Sequence, residues 1–300
     1  MAAFTAAGTF TALVTPFTAG GAAVDHAALE RLVEDQIAAG VTCLVPCGTT
    51  GETPTLAEDE MRAVIERVVG TAQRRVPVLV GTGSFSTKKT IAASQAAVAA
   101  GADAVMVVMP YYNKPSQDGL REHVLAVARA VSVPVVLYNI PGRTGVDLGP
   151  DATEQICAGA ANVVAVKDAT GNVLRCQELK RRLGDRLAVL SGDDALTLPM
   201  MAAGASGVIS VTSNVLPRET CEVTSLCAKG ELEAARRAHY RLLPLHGALF
   251  VEPNPAPAKA ALALLGKMRD DVRLPLVAAS AATRKLVAGA LAALGHAPLP

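Results

Sequence analysis

The chain has 300 residues, about twice the usual length of one domain, and 51% of them are hydrophobic while 18% are charged. This composition provides a large core and excludes a disordered protein. The 28 basic and 27 acidic side chains nearly cancel. With four Tyr, five Phe and no Trp, they offer neither a basic stripe nor a stacking surface for bases. We therefore expect no nucleic-acid partner.

The mean hydropathy is +0.34, but the apolar residues are spread over many short runs. We find no stretch of 18 apolar residues free of Gly, Pro and charge, so we expect no membrane span. The first residues, MAAFTAAGTF, lack the basic start of a secretory signal. Six cysteines have neither zinc nor redox spacing and are expected to be buried, reduced thiols. These features predict a cytoplasmic protein.

Along the chain, short apolar runs rich in β-branched residues alternate with helical patterns. The eight runs are 10–14, 43–46, 78–81, 104–109, 135–139, 163–167, 187–191 and 207–211. Helical stretches between them include 26–39, 58–71, 87–100 and 119–130. Asp25 and Thr87 are predicted N-caps, and Gly40 and Gly101 are placed where a helix should end.

Runs this short and this apolar are typical of strands buried on both faces of a parallel sheet. Eight β-α units in succession predict an α/β fold, a (β/α)8 TIM barrel that closes near residue 220. A doubly wound open sheet is the alternative, but Ser86 follows Gly81 and Gly83 where its nucleotide-binding motif needs glycine. From Pro217 onward the pattern is helical. We predict a catalytic barrel over 1–223 and a small C-terminal helical subdomain over 224–300.

In such a barrel the active site lies where the strands end, and Lys167 ends the strand Val163-Val164-Ala165-Val166. Burying an ammonium there is costly unless it is paired or neutral, and a neutral amine can form a Schiff base with a carbonyl substrate. The alternative is a buried ion pair with Asp168 or with a carboxylate on a neighbouring strand. The other lysines lie in loops or polar helical stretches, where we expect solvated charges.

Three further features, at the ends of the second and fifth runs, support chemistry near Lys167. The phenol of Tyr138 can transfer protons, although it could equally be a packed side chain. The loop 48–51 presents two hydroxyls and flexible N–H groups suited to a small carboxylate, or is an ordinary turn. Arg143 either binds a second carboxylate or is a surface cation. The scattered histidines have no metal-binding spacing, so we expect no metal.

Seven segments together resemble the dihydrodipicolinate synthase/N-acetylneuraminate lyase family. They are GTTGE (48–52), PYYNKPSQDGL (110–120), YNIPGRTG (138–145), VKDATG (166–171), SGDD (191–194), GVISVTSN (207–214) and FVEPNPAPAK (250–259). The resemblance extends from about residue 8 to the C-terminus. It implies a Schiff-base (class I) aldolase that forms an enamine from pyruvate, without a dissociable cofactor or a metal.

The resemblance also assigns roles to residues. Lys167 corresponds to the Schiff-base lysine and Tyr138 to the tyrosine that relays protons at the imine. Thr49 is similar to the middle member of that relay, and Tyr112 to the tyrosine that an adjoining subunit contributes. The remaining positions that resemble substrate-binding residues are Thr50 for the pyruvate carboxylate, Arg143 for the second substrate, and Gly192 and Ile209 for the pocket lining.

An arginine after YNIP favours the synthase branch of the family, in which the second substrate is aspartate semialdehyde and the reaction opens the diaminopimelate/lysine pathway. The alternatives are a related aldolase for another aldehyde or sugar acid, and a non-catalytic pyruvate-binding paralogue. The resemblance further implies a homotetramer built as a dimer of dimers. Where lysine-inhibited members have an imidazole, an amide and a carboxylate near the tyrosine that Tyr111 resembles, this chain has Glu58, Phe85 and Lys89. We therefore expect weak or absent lysine inhibition.

Overall fold

The protein, a computed structural model, is described over residues 4–298, which form eight strands and twelve helices. The strands are Gly8–Ala12 (β1), Cys43–Val45 (β2), Leu79–Gly81 (β3), Ala104–Val108 (β4), Val135–Asn139 (β5), Val163–Asp168 (β6), Ala188–Ser191 (β7) and Gly207–Ser210 (β8). The helices are His26–Ala39 (α1), Glu58–Ala72 (α2), Thr87–Ala99 (α3), Gln117–Ala130 (α4), Pro141–Thr144 (α5), Pro150–Gly159 (α6), Val173–Leu183 (α7), Thr197–Ala202 (α8), Pro217–Ala228 (α9), Leu232–Ala248 (α10), Ala256–Leu264 (α11) and Ala281–Ala293 (α12).

The strands form one sheet in the order β2-β1-β8-β7-β6-β5-β4-β3, and every paired neighbour is parallel. A parallel bridge between Leu44 and Val78 brings β2 against β3 and closes the ring. Each of the eight predicted runs overlaps one of these strands. The predicted barrel is therefore confirmed, and the open sheet is not the fold.

Alternation along the strands separates two apolar layers. Val136 and Tyr138 of β5 point into the barrel with Ala165 of β6, whereas Leu137 and Val166 between them pack outward against the helices. Position 167 shares the inward side with position 165, because strand side chains alternate with a period of two. The pleat of β6 thus directs one lysine into the barrel.

The predicted helix ends are confirmed in part. Asp25 caps α1, because its Oδ1 accepts a hydrogen bond from the Ala28 N–H at 2.9 Å, and Gly40 ends the helix at φ +89°. The prediction that Thr87 caps α3 is wrong, because Ser86 is the cap. The Thr87 hydroxyl instead hydrogen-bonds Nδ1 of His123 at 2.9 Å. Two adjacent hydroxyl residues fit the same capping pattern, and only the turn geometry separates them.

After β8 the described chain is helical, from α9 to α12. Helix α10 packs against α9 and α12. The division between 1–223 and 224–300 would fall inside α9, and it stays a prediction. None of the described helices has the length and apolar character needed to cross a membrane.

Candidate active site

Lys167 lies beside Tyr138 because β5 and β6 are paired in register at these two residues. Its side chain is buried, with 5% of the residue exposed. The ammonium nitrogen is 4.2 Å from the centre of the Tyr138 ring, within the range of a cation–π contact. The two residues that the sequence places at neighbouring strand ends therefore touch.

Over residues 4–298, no carboxylate lies within ion-pair distance of the Lys167 nitrogen. Asp168, the partner considered from sequence, is directed to the other side of β6, where its Oδ1 accepts a hydrogen bond from the Thr170 N–H at 2.8 Å. Burial raises the pKa of the Asp168 carboxyl. The buried lysine is therefore not half of an ion pair with its neighbour.

A cavity of about 700 Å³ opens at this end of the barrel. Thr49, Tyr138 and Arg143 all line it, and it continues into the crevice between α2 and α3. Lys167 is not among its lining residues and adjoins it through the ring of Tyr138. The cavity thus brings together a hydroxyl from the end of β2 with a phenol and a guanidinium from the end of β5.

The loop after β2 forms two short 3-10 turns, Thr49–Gly51 and Thr53–Thr55. Thr49 is half-buried at the cavity. Thr50 is buried, and its hydroxyl accepts a hydrogen bond from Nδ2 of Asn254 at 3.0 Å. The side chain of Thr50 is therefore held by the C-terminal part of the chain and is not part of the cavity lining.

Gly192, just after β7, and Ile209, on β8, occupy packed positions. The Gly192 N–H donates to the Asp168 carbonyl at 2.7 Å, and a Cβ at position 192 would lie 2.6 Å from that of Ala169, so only glycine fits this close approach. Ile209 is 1% exposed inside the barrel. Neither residue lines the cavity.

Arg143 and Tyr112 are both exposed but differ in position. Arg143 lies on the four-residue helix α5, which a left-handed Gly145 at φ +71° ends, and its side chain reaches the cavity. Tyr112 is 91% exposed and has a left-handed φ of +68°. Its phenol is not at the cavity of its own chain, so it is available to another molecule.

Sequence reasoning missed a second buried lysine. The expectation of solvated charges at the other lysines is wrong for Lys259, whose side chain is 0% exposed and forms an ion pair with Glu52 at 2.5 Å. Asn254, the residue that contacts Thr50, was missed as well. Glu52 lies in the motif GTTGE, and Asn254 and Lys259 lie in FVEPNPAPAK. The opposite charges of Glu52 and Lys259 are visible in the sequence, but nothing local indicates that the two residues meet.

Comparisons with known proteins identify relatives of the chain. The profile of the Dihydrodipicolinate synthetase family matches residues 5–294. A 4-hydroxy-tetrahydrodipicolinate synthase of Sorangium cellulosum is 72% identical over 284 residues, which cover 95% of this chain and 94% of the relative. The crystal structure of dihydrodipicolinate synthase from Aquifex aeolicus superposes with a TM-score of 0.95 at 42% identity, covering 98% of this chain and 100% of that one. The chloride-inhibited dihydrodipicolinate synthase from Acinetobacter baumannii, complexed with pyruvate, has a TM-score of 0.94 at 41% identity, covering 97% of this chain and 100% of that one.

Proposed function

The chain belongs to the dihydrodipicolinate synthetase family, and from that premise we propose that Lys167 is the nucleophile that forms a Schiff base with pyruvate. The chain is a lyase that condenses pyruvate with L-aspartate 4-semialdehyde to 4-hydroxy-tetrahydrodipicolinate, in diaminopimelate and lysine biosynthesis. One observation carries the assignment of the nucleophile: a buried amine at the end of β6, against the Tyr138 ring, with no carboxylate partner over residues 4–298.

The reaction then proceeds through covalent intermediates on Lys167. The Lys167 amine attacks the ketone carbon of pyruvate, and water leaves to give an imine. Loss of a methyl proton gives an enamine, whose carbon adds to the aldehyde of the semialdehyde. The amine of the new product displaces Lys167, which closes the ring and frees the enzyme. The protonated imine takes up the electron pair, so no separate cofactor is required.

The other site residues act on protons and carboxylates. Tyr138 and Thr49, with Tyr112 of the partner subunit, move protons at the imine and at the new alcohol. Thr50 and its loop hold the pyruvate carboxylate, and Arg143 holds the carboxylate of the semialdehyde. Gly192 and Ile209 shape the wall behind Lys167.

A homotetramer, a dimer of dimers, is the proposed assembly. The exposed Tyr112 phenol supports it, because the phenol lines no cavity in its own chain. The cytoplasm is the proposed compartment. All six cysteines are free thiols, as expected in a reducing environment.

Borohydride reduction in the presence of pyruvate tests the nucleophile. We expect one reduced three-carbon adduct, located on Lys167 by peptide mass analysis. Enzyme that has not been treated with borohydride should turn over pyruvate with aspartate semialdehyde. Lys259 is the internal control, since its ion pair should protect it. An adduct on any other lysine, or none, would refute the assignment. An adduct without turnover of the semialdehyde would indicate a different aldehyde substrate or a binding protein.

A further inference from the structure

The Lys259–Glu52 ion pair joins the C-terminal part of the chain to the loop 48–55. Lys259 lies on α11, and its nitrogen also donates to the Asp271 carbonyl at 2.8 Å and lies 4.0 Å from the centre of the Phe17 ring. The side chains of Lys259 and Glu52 are both 0% exposed. A charge pair so far from solvent contributes little net stability compared with apolar side chains of similar size, so its presence calls for another explanation.

Glu52 is held from both ends. Its backbone is left-handed, with φ +55°, and its N–H donates to the Thr49 carbonyl at 3.1 Å, which ends the turn Thr49–Gly51. Its Oε2 accepts a hydrogen bond from the Arg273 N–H at 3.0 Å. Glu52 would adopt this backbone conformation only at a cost that the surroundings must offset. The ion pair with Lys259 fixes the side chain of a residue that directly caps the Thr49 turn.

A second contact reaches the same turn at Thr50. The Asn254 Nδ2 donates to the Thr50 hydroxyl at 3.0 Å, and both side chains are buried. Asn254 and Lys259 both lie in the segment FVEPNPAPAK (250–259). One segment outside the strands of the barrel therefore contacts the turn through two independent polar links, one charged and one neutral.

We propose that Lys259 and Asn254 are positioning residues for the reaction, acting through Glu52 and Thr50 to hold the Thr49–Gly51 turn in its working geometry. The proposal rests on the proposed function, in which Thr49 moves protons and Thr50 holds the pyruvate carboxylate. A hydroxyl that relays a proton must lie within hydrogen-bond reach of its partners, and a small displacement of such a group costs rate. The C-terminal segment is thus part of the active-site framework.

The first experiment compares Lys259→Met with Lys267→Met. Lys267 provides a matched control, because it also lies in the C-terminal part and pairs with the barrel, through Asp35 at 3.0 Å, but on the surface. Rates are divided by the amount of enzyme that borohydride traps with pyruvate, so unfolded protein does not count. We expect kcat/KM per trapped site to fall ~10–100-fold in Lys259→Met and by less than about twofold in Lys267→Met.

The second experiment leaves the ion pair intact and remains informative if Lys259→Met does not fold. We expect Asn254→Ala to raise the KM for pyruvate about fivefold, the loss of roughly one hydrogen bond, with a smaller change in kcat. In a Thr50→Val background the same substitution should add nothing, because its effect passes through Thr50.

Each outcome is decisive. Equal rates per trapped site in Lys259→Met and Lys267→Met would overturn the role of the ion pair, and an undiminished effect of Asn254→Ala in Thr50→Val would overturn the role of Asn254. Failure of the proposed function itself has a different signature, since the unmodified enzyme would then show no adduct on Lys167.

Discussion

Two regions of this molecule bury a lysine in closely similar surroundings. Lys167 lies over the Tyr138 ring at 4.2 Å, and Lys259 lies over the Phe17 ring at 4.0 Å. The difference is the counter-charge. Lys259 forms an ion pair with Glu52 and donates to a carbonyl, whereas Lys167 has no carboxylate partner over residues 4–298.

The counter-charge separates Lys167, the proposed nucleophile, from Lys259 in its buried ion pair. Burial lowers the pKa of Lys259, and Glu52 opposes that shift through its charge and its hydrogen bond. The Lys259 nitrogen is held by two oxygens, the Glu52 carboxylate and the Asp271 carbonyl. Over residues 4–298 no such acceptor contacts the Lys167 nitrogen, so the amine is available to a carbonyl carbon. The two sites thus share burial and an aromatic neighbour and differ in chemistry.

The largest expected effect follows from removing the unpaired lysine. Lys167→Met should reduce activity by roughly 1,000-fold or more, because the covalent step is lost altogether. Its melting temperature should equal or exceed that of the unmodified enzyme, since a buried polar nitrogen without a carboxylate partner over residues 4–298 is replaced by a thioether of similar shape. Steady-state assays and thermal melts at equal protein concentration measure both. A large loss of stability would mean that Lys167 is structural after all.

Removing the paired lysine should have the opposite profile in stability. Lys259→Met leaves the buried Glu52 carboxylate without its counter-charge, so we expect a loss of about 3–5 kcal/mol in the free energy of unfolding. The double variant Lys259→Met/Glu52→Gln should recover more than half of that loss, since no uncompensated charge remains. Urea unfolding at matched concentrations tests this. If the single and double variants unfold alike, the pair does not behave as a coupled buried charge pair.

The sequence alone predicts the barrel and singles out Lys167 because both signals are local. Each strand is a short apolar run between turn signals, and Lys167 is conspicuous as a charge that directly continues such a run. The predicted cap at Thr87 is wrong by one position, because the preceding residue, Ser86, also carries a hydroxyl and is the actual cap. Local patterns thus place elements well and their ends less well.

Lys259 and Asn254 were beyond local reasoning. Lys259 lies among alanines and prolines in FVEPNPAPAK, and neither composition nor spacing reveals that Glu52 lies against it in the folded chain. The same limit applies to the hydrogen bond between Asn254 and Thr50, which joins residues 204 positions apart in the chain. Contacts between distant parts of the chain, and the burial that they cause, are properties of the closed barrel with its C-terminal helices.

Arg143 extends the comparison to an exposed cation at the cavity. It has no ion-pair partner over residues 4–298, so its guanidinium is free to bind a carboxylate. Arg143→Ala should cost about 2–3 kcal/mol, or ~30–150-fold in kcat/KM for aspartate semialdehyde. Imine formation with pyruvate, measured by borohydride trapping, should change little.

Arg143→Lys serves as the matched variant, because it keeps the charge and loses the two-pronged geometry. It should retain an intermediate activity between those of the unmodified enzyme and Arg143→Ala. Near-normal turnover in both variants would make Arg143 an ordinary surface cation and reopen the identity of the second substrate.

The smallest expected effect concerns a third lysine over an aromatic ring, Lys89, which lies 5.8 Å from the centre of Phe85. Phe85 in turn contacts Tyr111 edge-on at 5.5 Å. Lys89, Tyr111 and Glu58 line the same cavity. Free lysine entering there would meet a like charge at Lys89 and a phenyl ring at Phe85, where the resemblance places a carboxylate and an amide. An ammonium of the ligand would lose both partners on desolvation, and Glu58 can compensate only one of them.

We therefore expect less than half inhibition across about 0.1–10 mM lysine, a range that corresponds to weak binding. The double variant Phe85→Asn/Lys89→Glu should increase the sensitivity, because it restores a hydrogen-bonding amide and reverses the charge that repels the ligand. Lys88→Glu is the matched control, since it changes the same charge on the neighbouring exposed residue of α3 outside the cavity lining. Strong inhibition of the unmodified enzyme below about 1 mM would show that lysine binds through other contacts. A control as sensitive as the double variant would show that net charge on α3, and not the groups at the cavity, sets the response.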